Sequence, residues 1–545
     1  MVIATRVLPM GDRALLAETG SLDDVLALHA GLTASRPPGV VDLVPGARTV
    51  LVRVDSRMPA LPATRAWIER TAVETDAVAP RRNDAAVVEL EVAYDGPDLA
   101  STAELLGLAP DELVRRHAAA EWTVAFTGFA PGFGYLVSGE WDFDVPRLES
   151  PRTRVPAGAV GLAAGFTGAY PRETPGGWRL IGTTTATLFD PDAESPALLP
   201  PGTRVRFVPA RAKATTSPNP PLSIEPTPFR TQERVGSPEV GGFGEQTSPA
   251  TTPSEPPRGI RILEPGLLST IQDLGRPTAA SLGVAVSGAL DRGALRTANR
   301  LVGNPEGAAG VEITMGGFRA VAEDDLWFAV TGAWGPIRLD DREVDPYEAH
   351  AWPSGAELRV DWFGSGARGF LAVRGGLDGR VVLGSRATDL LAGLGPAPLR
   401  PGDVVGVRDE ASGPVPASAI APWGAPHDEE LVVELAPGPR ADWFAASALD
   451  VLYEAVWTVT NDADRVGVRL DGPELIRSRA GELPSEGMVP GALQVPPSGR
   501  PTILLADGPV TGGYPVIAVA TDAALDAVAQ ARPGTRIRFR HARAG

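Results

Sequence analysis

The chain has 545 residues, of which 43% are hydrophobic and 21% charged, a composition typical of a soluble protein with several domains. Its net charge of −17 argues against nucleic-acid binding, which needs a basic face, and no apolar run is long enough to cross a membrane. Cysteine is absent, which excludes disulfides, thiolate catalysis and zinc–thiolate sites. We therefore expect a cytoplasmic protein with no nucleic-acid or membrane partner.

Residues 1–85 alternate between the periods of strands and helices. Val2 to Ala17 is strand-like, Ser21 to Thr33 is helix-like with Ser21 as its cap, and 40–54 reads as two strands. A second helix is predicted over 58–73. The pattern predicts a small N-terminal α+β domain of the split βαβ type.

The pattern changes over residues 86–210. Ser101 and Glu104 are spaced as a capping box for a short helix, and Asp111 to Ala119 predicts another. Short strands separated by Gly and Pro then continue to Phe207, which indicates a closed β-barrel.

Residues 211–257 are rich in Pro, Ser and Thr with little apolar content, which predicts a disordered or extended linker. Residues 258–545 again read mostly as short strands, with one clear helix over Arg292 to Leu301 between Asp291 and Gly303. The length of this module suggests two β-rich lobes. The predicted fold class is mainly β with α+β parts.

Lys213 is the only lysine, and every other basic side chain apart from histidine is arginine. This excludes a phosphate-loop lysine and a Schiff-base lysine. Lys213 lies at the start of the predicted linker and not in a hairpin that could carry biotin, so we expect no covalently bound biotin. If a nucleotide binds, arginines, backbone amides and metal must hold it.

Phe126 to Leu136 reads Phe-Thr-Gly-Phe-Ala-Pro-Gly-Phe-Gly-Tyr-Leu, an apolar strand that enters a turn rich in glycine and aromatics. Glycine allows close backbone approach to a ligand, and successive amide N–H groups can form an anion-binding concavity. Pro175 to Trp178 repeats the combination. Barrel corners accumulate the same residue types, so a structural interpretation stays open. The predicted binding residues of the two blocks are Gly128, Phe129, Pro131, Gly132, Phe133, Tyr135, Gly176, Gly177 and Trp178.

These blocks also carry a family resemblance. Gly128 to Tyr135, Pro151-Arg152, Pro156-Ala-Gly158, Tyr170-Pro171 and Pro175 to Trp178 resemble the allophanate hydrolase subunit 1 family, to which the B subunit of bacterial 5-oxoprolinase belongs. Gly134 departs from that pattern, where proline is expected. The second half resembles the subunit 2 family, which includes the 5-oxoprolinase C subunit. Its matching motifs are Gln272 to Arg276, Ser287 to Asp291, Ala298 to Asn304, Gly384 to Arg386, Asp464 to Gly467, Gly491 to Pro497 and Thr511 to Pro515.

The resemblance implies cyclophilin-like β-barrels and a fusion of the B and C subunits. The implied reaction is the opening of 5-oxo-L-proline to L-glutamate, driven by ATP with Mg and requiring a separate A subunit. The same modules resemble the carboxyltransferase part of urea carboxylase, which acts on a small amide-like substrate and needs biotin carboxylase and carrier domains. A third, non-catalytic alternative is a regulator of a histidine kinase.

Hydrolysis of an amide requires a base for water and positive partners for the developing oxyanion. His117 could relay a proton or could be a structural histidine of the barrel; the family carries a histidine there. The other predicted catalytic residues are carboxylates in glycine-rich motifs, Asp273, Asp291 and Glu486. No two histidines have metal-ligand spacing, so no metal site is predicted.

The predicted binding residues outside the glycine-rich blocks are arginines and amide-recognising side chains. Arginine can bind a carboxylate or phosphate through two hydrogen bonds, although most such residues form structural ion pairs. The set is Arg152, Gln272, Arg276, Asn299, Arg386, Arg465, Gln494 and Tyr514.

Overall fold

The computed structural model describes residues 3–55, 60–75, 87–210, 258–417, 424–426, 429–481 and 483–543. The predicted linker, 211–257, lies outside the described residues. The architecture is mainly β, as predicted, with seven α-helices in the described ranges.

The N-terminal domain is an antiparallel sheet of order β1-β2-β4-β3. Strand β4 lies between β2 and β3, which the first helix joins, so the predicted split βαβ unit is present. The Ser21 hydroxyl accepts a hydrogen bond from the Asp24 amide and caps α1, as predicted. The elements are β1 (Arg6–Pro9), β2 (Ala14–Glu18), α1 (Leu22–Ala34), β3 (Val40–Pro45), β4 (Thr49–Val54) and α2 (Leu61–Glu74).

The next domain is a seven-stranded sheet of order β12-β9-β10-β7-β6-β13-β5, with β8 and β11 paired beside it. Its edges meet through one bridge, Ala93 to Thr183, so the sheet curls almost into a closed barrel. The elements are β5 (Val88–Val92), α3 (Leu99–Leu105), α4 (Pro110–Ala119), β6 (Trp122–Thr127), β7 (Gly134–Val137), β8 (Arg152–Val155), β9 (Ala159–Ala163), β10 (Phe166–Ala169), β11 (Thr174–Gly176), β12 (Arg179–Thr183) and β13 (Arg204–Pro209).

The predicted capping box at Ser101 and Glu104 is wrong. Helix α3 already begins at Leu99, with Asp98 at its N-cap, and the Ser101 hydroxyl donates to the Asp98 carbonyl from inside the first turn. The Asp98 carboxylate is occupied by the Leu180 amide and Arg152, so tertiary contacts, not the local sequence signal, fix where this helix starts.

The first lobe of the second module has two sheets around one apolar core. Their orders are β20-β19-β22-β17-β14-β24 and β15-β16-β23-β18-β21, and α5 follows the predicted bounds. The elements are β14 (Gly259–Pro265), β15 (Leu268–Gln272), α5 (Arg292–Leu301), β16 (Gly310–Thr314), β17 (Phe318–Ala322), β18 (Leu326–Trp334), β19 (Ile337–Leu339), β20 (Arg342–Val344), β21 (His350–Trp352), β22 (Glu357–Val360), β23 (Ser365–Val373) and β24 (Val404–Gly406).

The second lobe is a closed barrel of order β25-β32-β29-β30-β27-β26-β33. Two helices that the sequence analysis missed, α6 and α7, are short and alanine-rich and pack against it. The elements are β25 (Glu430–Pro437), α6 (Ala446–Glu454), β26 (Trp457–Val459), β27 (Gly467–Asp471), β28 (Glu486–Gly487), β29 (Ala492–Gln494), β30 (Thr502–Leu504), β31 (Thr511–Gly512), β32 (Val516–Ala520), α7 (Asp522–Ala529) and β33 (Arg536–His541).

The N-terminal domain and the closed barrel share one apolar cluster. Leu8, Met10 and Leu16 pack there with Met488 and Val519. The Gly11 amide also donates to the Pro437 carbonyl across the same junction, at 3.0 Å. Removing this surface from water stabilises the association of the two modules. No helix among the described residues is long and apolar enough to span a membrane.

Candidate functional site

The glycine-rich turn between β6 and β7 lies against the second module. A β carbon on Gly128 would lie 1.9 Å from the Thr511 Oγ1, and the Gly132 amide donates to the Leu282 carbonyl at 3.0 Å. The Thr127 hydroxyl donates to the Ser281 carbonyl, at 2.5 Å. The turn is therefore part of the junction between the two modules.

The two aromatic blocks predicted from the sequence do come together. Phe133, Tyr135 and Trp178 pack edge to face, with ring centroids 5.1–5.5 Å apart, and Tyr170 joins the same cluster. Burial raises the pKa of Tyr135 to about 12, despite the nearby Arg147 and a hydrogen bond with Ser485 of the second module. These rings form a wall that excludes water, and only Phe129 of the turn remains substantially exposed, at 41%.

The other residues of these blocks support the wall. A β carbon on Gly176 would lie 2.7 Å from the Tyr170 Oη, and one on Gly177 would touch Pro151 at 3.7 Å. Arg152 donates to Asp98 at 2.7 Å, so its charge is used within the barrel. The structure therefore gives Arg152 a structural partner within the barrel.

Three adjoining cavities follow the junction between the modules. One of about 20 Å³ lies under the turn and is lined by Phe129, Pro131, Arg172, Asp389 and Asp507, among others. A middle cavity of the same volume shares Pro509 and Val510 with it and is also lined by Arg276. The third, of about 80 Å³, shares Arg53 and Val286 with the middle one. The seam of cavities lies where residues of both modules converge.

A buried ion-pair network centred on Arg465 adjoins this seam, because its members Asp507 and Ser287 each line one of the cavities. The guanidinium Nε lies 2.9 Å from Asp507, and Nη1 lies 2.6 Å from Glu312. The Ser287 hydroxyl donates to Asp507 at 2.7 Å, and the Leu290 amide donates to Glu312 at 2.9 Å. All of these side chains are almost completely buried, so the network is geometrically fixed.

Asp389 and Arg276 flank that network. Asp389 Oδ1 accepts from the Ala392 amide, whereas Asp389 Oδ2, Arg276 Nη1 and the nearby Arg172 Nε have no hydrogen-bond partner within the described ranges. Burial, with the like charge of Asp507, raises the pKa of Asp389 to about 6. A buried carboxylate that titrates near neutrality beside arginines is suited to accept a proton.

The predicted catalytic Asp273 holds a loop of the same lobe. Its carboxylate accepts from the Gly275 amide, the Ser385 hydroxyl and the Arg386 amide, each at 2.7 Å. The Arg386 guanidinium lies 3.6 Å from both Asp378 and Glu410. Asp273 therefore positions the Gly384-Ser-Arg turn, and Arg386 faces other acids.

Asp291 is at the N-terminus of α5 and lines none of the three seam cavities. Its carboxylate accepts from the Ala294 amide at 2.8 Å and from Gln530 Nε2 at 2.7 Å. It lines a separate cavity of about 380 Å³ together with Asp526 and Tyr347. Burial and the charge of Asp526 raise the pKa of Asp291 to about 7.

Glu486 lies in a third place, on β28. It accepts from Arg440 Nε at 2.9 Å, and Arg440 also contacts Glu18 of the N-terminal domain at 2.8 Å. The three predicted catalytic carboxylates therefore do not share one site. Asp273 lies at the Gly384-Ser-Arg turn, Asp291 lies at the start of α5, and Glu486 lies beside the N-terminal domain.

His117 is fully buried in the first barrel. Its Nδ1 lies 2.8 Å from the Tyr94 Oη and its Nε2 lies 2.9 Å from the Thr167 Oγ1, with the rings of Trp122 and Phe207 around it. Burial lowers its pKa to about 3. The geometry corresponds to the structural alternative, because His117 lines none of the three seam cavities.

The remaining predicted residues are dispersed. Asn299 donates to the Ala308 carbonyl, Gln272 donates to the Thr388 carbonyl, and Gln494 contacts the Met488 sulfur at 3.4 Å. Tyr514 is 43% exposed. The sequence analysis missed Asp389 and Arg172 as site residues, although each lies within three residues of a quoted motif or pair (Gly384-Ser-Arg386 and Tyr170-Pro171).

Comparison with known proteins places this geometry in a family. Residues 5–199 match the family model described as carboxyltransferase domain, subdomain C and D, and residues 282–541 match carboxyltransferase domain, subdomain A and B. The fold and the seam thus define a protein with both carboxyltransferase halves in one chain. The chain belongs to the carboxyltransferase-domain family, as its motifs predicted.

Individual relatives match one half each. The 5-oxoprolinase C subunit of Escherichia coli K12 is 36% identical over 285 residues, 51% of this chain and 90% of the relative. The 5-oxoprolinase B subunit of Escherichia coli O157:H7 is 40% identical over 181 residues, 32% of this chain and 80% of the relative. Urea amidolyase of Lachancea kluyveri is 30% identical over 311 residues, 52% of this chain but only 17% of that protein.

A solved structure matches both halves together. The crystal structure of TTHA0988 superposes with a TM-score of 0.80 at 37% identity, covering 97% of this chain and 99% of that one. The arrangement of two modules in one chain is therefore shared with another protein of known structure.

Proposed function

We propose that this chain is the combined B and C component of an ATP-dependent 5-oxoprolinase. It would hydrolyse 5-oxo-L-proline to L-glutamate together with a separate A subunit, in the cytoplasm. The observation that carries the proposal is that one chain contains counterparts of two proteins named as the B and C subunits of 5-oxoprolinase. The two halves share an apolar cluster, which holds them together and favours their action as one unit.

The chemistry of the seam supports this proposal. Opening a lactam requires a base for water and positive groups for the developing oxyanion. Asp389 has a pKa near neutrality, and Arg172 and Arg276 have buried nitrogen atoms without partners among the described residues. ATP with Mg would activate the lactam oxygen, and because Lys213 is the only lysine, arginines and backbone amides would bind its phosphates.

The direct test is reconstitution. The purified chain should release little or no glutamate from 5-oxo-L-proline and ATP, whereas addition of the A subunit should produce glutamate and ADP in equal amounts. Asp389→Asn should lower that turnover by about a hundredfold, the scale of lost general-base catalysis. Full turnover without the A subunit, or none with it, would contradict the proposal.

A second candidate is the carboxyltransferase step of a urea carboxylase-like enzyme. The match with urea amidolyase over 52% of this chain favours it, and it also needs a site for a small amide. It requires a separate biotin carrier, since no covalently bound biotin is expected here. Carboxylation of urea by this chain with a carboxylated carrier, and no response to the A subunit, would select this candidate.

A further inference from the structure

The proposed chemistry gives no role to the largest of the three seam cavities. It lies between the β1–β2 turn of the N-terminal domain and the closed barrel, and its volume is about 80 Å³. That is several times the 10–15 Å³ that a single water molecule needs. Its charged lining consists of Asp12, Arg13, Arg53, Arg292 and Asp522.

Most of these charges are already paired. Arg53 contacts Asp42 at 2.5 Å, and Arg13 lies 3.8 Å from Asp522 and 4.0 Å from Asp12. Among the described residues, the guanidinium of Arg292 has no hydrogen bond and no ion pair within 4 Å. Asp12, Asp522 and Asp42 balance the charges of the three arginines. The cavity is therefore distinguished by an unpaired guanidinium N–H donor and not by an excess of positive charge.

Arg292 occupies a position that costs stability. It is the first residue of α5, where the helix dipole is positive and a cation is unfavourable. Burial lowers its pKa, and Arg296 and Arg53 contribute in the same direction, partly offset by Asp522. Arg292 is half-buried and lines the cavity, so its unpaired guanidinium is open to an incoming anion.

A second arginine, Arg53, lines the same cavity. Arg53 uses its Nη2 for Asp42 and for the Pro277 carbonyl, at 2.5 and 2.6 Å, whereas its Nε is buried and has no partner in the described ranges. Arg53 lines both this cavity and the middle one. Two arginines from different modules, each with N–H donors that have no partner in the described ranges, thus line one cavity.

We propose that this cavity binds a small oxyanion, a phosphate or carboxylate group, between Arg292 and Arg53. A planar guanidinium matches such a group with paired hydrogen bonds, which a spherical halide cannot accept in the same geometry. Because the two arginines come from the N-terminal domain and the second module, the bound anion would also link the modules. The inference concerns binding alone and does not depend on the proposed reaction.

The test uses the full chain and inorganic phosphate. Calorimetric titration should show phosphate binding, and phosphate should raise the melting temperature. Arg292→Gln should weaken binding at least tenfold and abolish the thermal shift. Arg300→Gln, on the same helix but exposed and distant from the cavity, should bind phosphate like the parent chain.

A measurement without ligand separates binding from structure. If Arg292 is kept for an anion, Arg292→Gln should melt at the parent temperature or above it, because a cation has been removed from the N-terminus of α5 and no side-chain contact is lost. A large fall in melting temperature would show a structural role and overturn the inference. Arg292→Lys keeps the charge without the planar fork and should bind phosphate more weakly than arginine but better than glutamine.

Parallel titrations show whether the site recognises a phosphoryl group or a carboxylate. Binding of phosphate and ADP that competes at this site identifies a phosphoryl group, whereas binding of 5-oxo-L-proline or acetate alone identifies a carboxylate. No binding of any of these at millimolar concentration, or unchanged binding in Arg292→Gln, would refute the site whether or not the chain is an oxoprolinase.

Discussion

Gly128 of the first module and Thr511 of the second are packed so closely that a β carbon on Gly128 would lie 1.9 Å from the Thr511 Oγ1. These residues are 383 positions apart in the sequence, on opposite sides of the junction. The glycine is thus required by the neighbouring module and not by its own backbone conformation, since its φ is not positive. The fit of this turn therefore depends on how the two modules pack together.

We expect Gly128→Ala to weaken the junction. The added methyl group must displace Thr511 or separate the modules, and overpacking of this kind costs about 1–3 kcal/mol. Chemical denaturation should show the loss, and Gly128→Ala combined with Thr511→Gly should recover part of it. Gly139→Ala, where no atom lies within 4 Å of the new methyl, is the control. Equal stability of Gly128→Ala and Gly139→Ala would contradict this close packing.

We expect the Arg465 network to be essential for folding. Arg465→Met leaves Glu312 and Asp507 buried without their cation, which should lower the free energy of unfolding by about 3–5 kcal/mol. Urea denaturation of the purified variant measures this loss. Arg469→Met, on the exposed face of β27, should change stability by less than about 0.5 kcal/mol. A stable Arg465→Met variant would show that the buried network is dispensable.

We expect His117 to act on stability and not on turnover. His117→Asn removes its contacts with Tyr94 and Thr167, so the variant should be less stable by about 2–4 kcal/mol at neutral pH. Turnover per folded molecule, measured with the A subunit, should be unchanged. A hundredfold loss of turnover in a fully folded variant would restore the catalytic interpretation.

His117 should also make the stability of the folded chain depend on pH. The folded-state pKa of His117 is depressed to about 3, whereas an unfolded histidine titrates near 6.5. Its contribution to stability is therefore present above about pH 6.5 and is lost as the pH falls toward 3. The parent chain should lose stability more steeply over this window than His117→Asn.

Asp291 should show the opposite dependence. Its folded-state pKa is raised to about 7, against about 3.9 when unfolded, so its contribution is present below about pH 4 and is lost as the pH rises through 7. Relative to the parent chain, Asp291→Asn should gain about 1–3 kcal/mol between about pH 5 and pH 9. The substitution also loses the hydrogen bond from Gln530, but that cost does not depend on pH. It cancels when only the change in stability between pH 5 and pH 9 is compared for the two proteins. Parallel curves would show that Asp291 is already ionised in the folded state at pH 5.

The sequence alone was sufficient where the signal is local. The alternation over residues 1–85 gave the split βαβ domain, Ser21 gave the start of α1, and Asp291 with Gly303 gave both ends of α5. The motifs identified the family because they are short contiguous stretches. Local signals failed at α3, where Asp98 is fixed by Leu180 and Arg152, and at the alanine-rich helices α6 and α7, which depend on packing against the barrel.

The tertiary structure alone decided which residues meet. Composition and motifs could name Arg465 and Asp291, but they could not show that Arg465 is enclosed by Glu312 and Asp507 while Asp291 lies at a different cavity. Arg292 and Arg53 line one cavity only because the N-terminal domain packs on the second module. Contacts across hundreds of residues depend on how apolar surfaces are buried together, and that is a property of the folded chain and not of any segment.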